Sequence, residues 1–556
     1  MTTFASRLYS HLQRSPEKIA LTLIQAGQPD HSLRYFELFQ EAQRYTRAFT
    51  NRGIQQREVV VLILQHGEDL IASYLGALIL GAVPSIMPFL TEKLSPERYR
   101  ADLAALVSVT RPAGVVTYPE FESEVNGAVQ GNTSVRAVIL TSQVQNCDST
   151  NTTWEGLKRD PHEVVLLQHS SGTTGLQKGV ALSHRAVFNQ LFAYSRVLDL
   201  KASDVIVSWL PLYHDMGLIA GFLLPLLEGQ HLVLMSPFDW VRAPYRLMQA
   251  VSQYKGTLTW LPNFAYNFCS QKIRDHHLEG VDLSSWRAII NCSEPVRPES
   301  HAAFYGRFHR YGLSKSSLHT SYAMAENVFA VTQSDLSGEP LVEEIDRGIF
   351  LTQRKVESSK GEGRMGMMSS GIPLPNVRIK ILDENRVPVP DRTIGEIAIL
   401  SDCMLSGYYN RPDETKKAFK DEWFLTGDFG YFSAGELFVT GRKKDMIIVG
   451  GRNIHPQDLE SLTYEVPGVH AGRSVAFGIY NEEQGTEEVV IVSEVEAAEA
   501  AERESIAEAI RRHVTKNSSI ALRNVKVVES NWIIKTSSGK TARLANKEKY
   551  LSEGYQ

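Results

Sequence analysis

Cysteine is scarce in this chain: four thiols (Cys147, Cys269, Cys292 and Cys403) lie scattered through 556 residues, with no CxxC pair. That excludes zinc-ligand spacing, and a disulfide framework is not expected in a chain this long. An excess of positive charge is missing as well. The formal net charge is −5, and the pairs Arg511, Arg512 and Lys443, Lys444 are too short for a basic arm, so no nucleic-acid partner is expected. The first 18 residues, MTTFASRLYSHLQRSPEK, hold no apolar core of the kind a signal peptide needs. Tandem repeats and long low-complexity tracts are absent too. Together these gaps point to a cytoplasmic protein without a transmembrane segment.

One stretch tests that expectation. Residues 71–91 run for 21 positions without a charge, long enough to span a bilayer. Pro84 and Pro88 interrupt it. It reads better as a buried helix over 70–80, a stop at Gly81 and a buried strand over 83–88. With 43% hydrophobic and 22% charged residues the composition is that of a globular protein, and the length calls for two or more domains. Helical spacing over 35–52, the apolar run 59–64, a helix over 96–110 and a strand over 113–117 continue an alternation that predicts a largely parallel sheet covered on both faces, an α/β fold. Toward the C-terminus, strands are expected at 474–479, 488–494 and 525–529, with a helix over 498–517.

An apolar strand run at 164–167 leads into QHSSGTTGLQKGVALSH at 168–184. Hydroxyls (Ser170, Ser171, Thr173, Thr174), glycines (Gly172, Gly175) and Lys178 crowd into nine positions. Glycines let backbone N–H groups turn inward, hydroxyls donate to phosphate oxygens, and the lysine adds a point charge. Such a loop can hold a polyphosphate. A Walker loop counted from Gly172 would need glycine at 177 and Ser or Thr at 179, where Gln177 and Gly179 stand. The run instead resembles the phosphate-binding signature of the adenylate-forming superfamily, which includes acyl-CoA ligases, peptide-synthetase adenylation domains, luciferases and fatty acyl-AMP ligases.

Downstream, WLPLYHDMGLIAG at 209–221 places Tyr213, His214 and Asp215 just past a strand end, where open α/β sheets bind ligands. His214 could titrate near neutrality, but an attacking carboxylate needs no deprotonation, so a gating or positioning role is more economical. Ser293, Glu294 and Pro295 follow another strand end. In LHTSYAMAENVFA at 318–330, Ser321, Tyr322, Ala323 and Met324 precede Glu326. Tyr322 offers a flat ring to a purine and Glu326 a hard carboxylate to Mg²⁺. Asp428 follows a turn glycine after an apolar run, which suits a carboxylate accepting both ribose hydroxyls. Arg442 can reach phosphate or ribose. Trp240 and Tyr266 are candidates to line an acyl pocket, although apolar aromatics are more often core.

WLPLYHDMGL, PNFAYNFC, LSSWRAIINCSEPV and SYAMAE together are similar to the fatty acyl-AMP ligase branch, also called acyl-acyl-carrier-protein synthetases, over about residues 5–545. Two departures stand out. NCSEPV replaces the usual NGAEPV, and YAMAE replaces YGMAE with Ala323 for glycine, both adding bulk near the adenine pocket. The resemblance implies a large N-terminal domain of mostly parallel sheets covered by helices (1–443) and a small α+β C-terminal domain (444–556) that rotates about a hinge. It implies ATP and Mg²⁺ as cofactors, with Thr174 and Glu326 on the metal. Lys444 matches the superfamily's hinge position, and Lys540, in IIKTSSGKTAR, its catalytic lysine. The implied reaction joins a fatty acid to AMP and passes the acyl group to the phosphopantetheine of an acyl carrier protein, or of a carrier domain in a polyketide or peptide synthase. The long polar stretch 334–366 is the candidate for the insertion that marks this branch, since compact domains seldom carry such loops without a function. A fatty acyl-CoA ligase is the alternative. A non-catalytic nucleotide- or carrier-protein-binding module is a second, against which Lys178, Glu326, Asp428, Arg442 and Lys540 in one chain speak.

Overall fold

Five consecutive branched apolar residues, Val59–Ile63, are all buried, because this strand has a parallel neighbour on each side and helices over both faces. The computed structural model describes residues 2–554 apart from 90–95, 150–151, 170–177, 354, 362, 450–451, 471, 483–485, 497–498, 519 and 537–539. Val59–Ile63 sits in a seven-stranded sheet ordered Gly407–Tyr408, Gly179–Ser183, Val164–His169, Val83–Ile86, Val59–Ile63, Gly114–Thr117, Ala137–Leu140. Its last five strands are parallel and its first two join antiparallel. A nine-stranded sheet runs parallel from Leu318–Ala323 through Ala288–Asn291, Leu258–Leu261, Val205–Ser208 and His231–Met235 to Ile19–Ile24, with antiparallel strands at both edges.

The uncharged stretch resolves as expected from its prolines. Helix Glu68–Leu80 is buried from Leu70 to Leu80, Gly81 closes it at φ +84°, and strand Val83–Ile86 follows. Its apolar surface joins the main core, which draws on both sheets. No helix among the described residues is long and apolar enough to cross a membrane.

A third sheet is antiparallel throughout and is built from Val377–Leu382, Gly395–Ser401, Trp423–Ser433, Glu436–Arg442 and Phe419–Lys420. Beyond it, Ser474–Asn481, Thr486–Val495 and Leu522–Glu529 form a three-stranded sheet with a core on each face. Alternation divides the faces. Val475, Phe477 and Ile479 meet Tyr550 of helix Arg543–Ser552, whereas Ala476 faces the helices Pro456–Thr463 and Ala500–Ser518. The helix expected over 498–517 is thus described from Ala500, position 498 being outside the described residues.

The stretch 334–366 is not the structureless connection its composition suggests. Strands Val342–Asp346 and Arg364–Met368 pair as an antiparallel hairpin with helix Arg347–Gln353 between them. Ile345, Phe350, Val356, Met365 and Met367 pack with Phe429, Tyr431 and Phe438 of the third sheet. The apolar anchors are too sparse to show in composition, yet they suffice because that sheet supplies the opposing face. Truncating Phe350 to alanine should therefore destabilise the protein by about 3–5 kcal/mol through the cavity it leaves. Equilibrium unfolding in denaturant reads this, and a loss below about 1 kcal/mol would mean that the hairpin is not anchored by this ring.

Candidate active site

A cavity of about 2380 Å³ opens between the large body and the three-stranded unit; His214, Glu294, Tyr322, Asp428, Arg442 and Lys540 line it from separate elements, whereas Lys178, Met324, Glu326 and Lys444 are not among its lining residues. Asp428 and Arg442 face each other across strands Trp423–Ser433 and Glu436–Arg442, with Arg442 Nε 3.3 Å from Asp428 Oδ1. The Tyr322 hydroxyl donates to the other oxygen, Oδ2, at 2.6 Å. Gly427, at φ +71°, makes the turn that lets the Asp428 amide donate to Thr426 Oγ1 at 3.0 Å. Both carboxylate oxygens are therefore preset by donors before any diol arrives. Ser321 is spoken for, its hydroxyl donating to the Thr332 carbonyl at 2.7 Å, and the Met324 amide donates to the Phe329 carbonyl at 2.9 Å. Ser321, Tyr322 and Ala323 line the cavity.

Ser170, Ser171, Gly172, Thr173, Thr174 and Gly175 lie outside the described residues. Lys178, at the loop's far end, is described: its ammonium stands 2.5 Å from Glu414 and 4.7 Å over the Tyr408 ring. Tyr408 in turn donates to Glu326 Oε1 at 2.9 Å, linking lysine, ring and carboxylate in one row. Burial raises the Glu326 carboxyl above its ordinary value. At the end of the strand entering the loop, Gln168 is buried with neither amide atom hydrogen-bonded among the described residues. Buried polar groups are normally satisfied, so this amide stands ready for a polar ligand. Tyr408 and Glu414 were not singled out from sequence; GYYNRPDET marks a helix start, and nothing local ties it to a lysine 236 positions earlier.

Lys540 reaches the same cavity from the three-stranded unit. Its turn is closed by the Thr536 amide donating to the Lys540 carbonyl at 2.7 Å and the Lys540 amide donating to Thr536 Oγ1 at 3.2 Å. Desolvation lowers its ammonium below the ordinary value, and Arg442 adds to this; Asp215 and Glu294 of the large body oppose. Desolvation likewise raises the carboxyls of Asp215 and Glu294, against the pull of Lys540. Asp215 Oδ1 accepts from the Met216 amide at 2.9 Å, and Glu294 Oε2 from the Phe264 amide at 2.8 Å. These contacts fix both carboxylates. Asp215, which the sequence set beside His214 without a role of its own, carries more weight here than its neighbour's imidazole.

His214 is pushed down to about 3 by burial and by the charge of Lys540, so its ring is neutral at working pH, and its Nε2 is buried without a partner among the described residues. A neutral ring of that kind can position or gate rather than take a proton. After it, Met216–Leu223 winds as a π-helix, a rare form often found at functional sites. A Cβ on Gly217 would lie 2.2 Å from the Pro211 carbonyl oxygen, so only glycine lets this turn close.

The substitutions in NCSEPV separate once the side-chain directions are known. Cys292 is fully buried with its Sγ 3.0 Å from Met216 Sδ, so its bulk enters the core and not the adenine pocket as expected. Ser293, held at φ +70°, lines the cavity together with Glu294, Pro295 and Ala323. Trp240 lines it as well and stacks on Trp209 at 3.6 Å with the rings 2° from parallel. Tyr266 does not. It is core, donating its hydroxyl to the Ile289 carbonyl at 3.1 Å. Lys444 is exposed on the single 3₁₀ turn Lys443–Asp445 that follows strand Glu436–Arg442. No cluster of three potential metal-ligating residues occurs among the described residues.

The family model described as AMP-binding enzyme matches residues 8–409. The chain is 28% identical to the medium-chain-fatty-acid–[acyl-carrier-protein] ligase JamA of Moorena producens, over 98% of this chain and 93% of that protein. It is 29% identical to the long-chain-fatty-acid–AMP ligase FadD26 of Mycobacterium marinum, over 99% and 97% of the two chains. A solved structure from work on fatty acyl-adenylate ligases of E. coli and L. pneumophila superposes with a TM-score of 0.90 at 26% identity, covering 100% of this chain and 98% of that one.

Proposed function

Because this chain belongs to the AMP-binding enzyme family, we propose that it activates a fatty acid with ATP and hands the acyl group to the thiol of an acyl carrier protein or carrier domain. One observation carries the reading. Lys540 of the C-terminal unit lines one cavity with Glu294 of the large body and with the apolar side chains of Met87, Phe89, Leu103, Leu106, Phe238 and Trp240. A cation in a cavity with apolar walls suits a carboxylate with a long hydrocarbon tail. The carrier-protein and fatty acid specificities of JamA and FadD26 support the same substrate class.

In the first half-reaction the fatty carboxylate attacks the α-phosphorus and pyrophosphate leaves. Lys540 holds the carboxylate and the charge developing at the α-phosphate. Lys178, with Ser171, Thr173 and Thr174, cradles the departing phosphates. Asp428 takes the ribose hydroxyls, Tyr322 gives the purine a face, and Arg442 serves ribose or phosphate. The work is positioning and electrostatics, with no covalent step by the protein. Mg²⁺ keeps several waters and takes one or two carboxylates beside phosphates, so the single buried carboxylate of Glu326, with the Thr174 hydroxyl, is a donor set that fits it. When bound, the ion neutralises charge on the phosphates. In the second half-reaction the C-terminal domain, 444–556, rotates about Lys444 on domain 1–443 and withdraws Lys540. The phosphopantetheine thiol then attacks the acyl carbonyl and AMP leaves. The reaction belongs in the cytoplasm, where ATP and carrier proteins are available.

The test is ATP–pyrophosphate exchange over a panel of acids, followed by transfer to phosphopantetheinylated carrier protein and to CoA. Exchange with fatty acids and loading of carrier protein, with CoA left largely unused, is the expected result. Equal use of CoA would replace this reading with a fatty acyl-CoA ligase. No exchange with any acid would leave a nucleotide- or carrier-binding module.

A further inference from the structure

Beside the apolar side chains that line the cavity stands a polar one, His66, that the proposed reaction does not use. His66 lies just beyond strand Val59–Ile63 and lines the cavity, next to Met87, Pro88 and Phe89, which follow the neighbouring parallel strand Val83–Ile86. The Tyr99 hydroxyl donates to the Pro88 carbonyl at 3.1 Å and closes this wall with Leu103 and Leu106 behind it. His66 Nε2 is buried and has no hydrogen-bond partner among the described residues. Burial alone pushes the imidazole down to about 3, so it is neutral at working pH. Several side chains separate His66 from the region of Glu294 and Lys540: the Phe264 amide donates to Glu294 at 2.8 Å, and the Phe264 ring stands 6.1 Å from Trp240. Aromatic rings lead from one region to the other: Trp209 stacks on Trp240, and Phe238, two residues before Trp240, stands 5.3 Å from Phe89.

A purely hydrocarbon chain would leave that nitrogen buried and unsatisfied, which a binding site avoids. We infer that the acid this enzyme activates carries a hydroxyl on the distal part of its chain, received by His66 Nε2 at the apolar wall of the cavity. A hydroxyl both donates and accepts, so it satisfies the ring in either tautomer. A ketone or a second carboxylate would satisfy only a protonated Nε2. His66 is thus a specificity-determining residue, and the inference rests on the fatty acid ligase reading above.

The test measures ATP–pyrophosphate exchange for matched pairs of saturated and distally hydroxylated acids from six to sixteen carbons, with wild-type enzyme, His66→Leu and His66→Gln. At one chain length wild type should prefer the hydroxylated acid by about 10- to 100-fold in kcat/KM, the cost expected of leaving one buried polar group unpaired. His66→Leu should invert the order, accepting the plain chain better and the hydroxylated one worse, through KM rather than kcat. His66→Gln, which keeps a donor and an acceptor, should recover part of the preference. Because leucine removes an unsatisfied polar atom, the melting temperature should not fall, which separates lost recognition from misfolding. Equal kcat/KM within every pair, or a preference that His66→Leu leaves intact, overturns the inference while the ligase reading stands. If no acid of either kind supports exchange, the ligase reading fails and the inference falls with it.

Discussion

Lys540→Ala is expected to abolish adenylate formation while sparing thiol transfer from supplied acyl-adenylate. Lys540 is the cation that lines the cavity with Glu294, and desolvation strengthens its charge interactions with Asp215 and Glu294. Removing one preorganised electrostatic group of this kind costs about 3 kcal/mol or more, a loss of roughly 150-fold or beyond in ATP–pyrophosphate exchange. A secondary effect sharpens the result. Lys540 pulls down the carboxyls of Asp215 and Glu294, which burial already raises, so its loss lets both rise further. The variant then presents neutral or repelling groups where the carboxylate substrate must bind. The Lys540 side chain is half-buried at the cavity and belongs to no hydrophobic core, and circular dichroism checks that the variant keeps its fold. Exchange near the wild-type rate would show that Lys540 is an ordinary surface lysine.

Substitution of Lys444 by proline should divide the two half-reactions in the opposite sense. The residue sits on a lone 3₁₀ turn, Lys443–Asp445, a conformation whose usual φ range includes the value proline imposes, so the orientation seen here should be retained. The proposed rotation of the C-terminal domain would require a large dihedral change at a few such residues, and proline should prevent it. Exchange should persist within a few-fold, while loading of carrier protein falls by about 100-fold, equivalent to about 2.7 kcal/mol against the rotated state. Stopped-flow or gel-based loading assays from preformed acyl-adenylate read this directly. Equal loss of both steps would point to misfolding or to a nucleotide-binding role for this turn.

The hairpin within 334–366 bears on the same equilibrium. Arg347 on its helix reaches Glu465 of the C-terminal unit at 3.2 Å, with the glutamate 44% exposed. A pair that open contributes about 0.2–1 kcal/mol, only a few-fold, so Arg347→Ala alone should not open the enzyme to CoA. Any stronger bias would have to come from the packing of helix Arg347–Gln353 against helix Ala500–Ser518 of the C-terminal unit. Excising the stretch is the wrong experiment, because Ile345, Phe350 and Met365 would leave a hole against Tyr431 and Phe438.

Much of this was legible in the chain itself, for local reasons. A strand buried on both faces must be apolar at every position, so Val59–Ile63 declares itself, and prolines within an uncharged stretch rule out a spanning helix before any coordinates exist. The phosphate-loop expectation is equally local, since it needs only glycines, hydroxyls and a lysine crowded into nine positions of sequence. What tertiary structure alone decided are the relations that cross elements. The register of Asp428 against Arg442, the Tyr322 hydroxyl on Asp428, the row Lys178–Tyr408–Glu326 and the meeting of Lys540 with Glu294 in one cavity all join residues from separate strands, helices or domains. Side-chain direction belongs to the same class. Nothing in NCSEPV says that Cys292 turns into the core and Ser293 toward the cavity, or that His66 stands among the apolar residues lining the cavity with an unsatisfied nitrogen. Such facts depend on the pairing register and on which surfaces face each other after folding, and no window of sequence contains either.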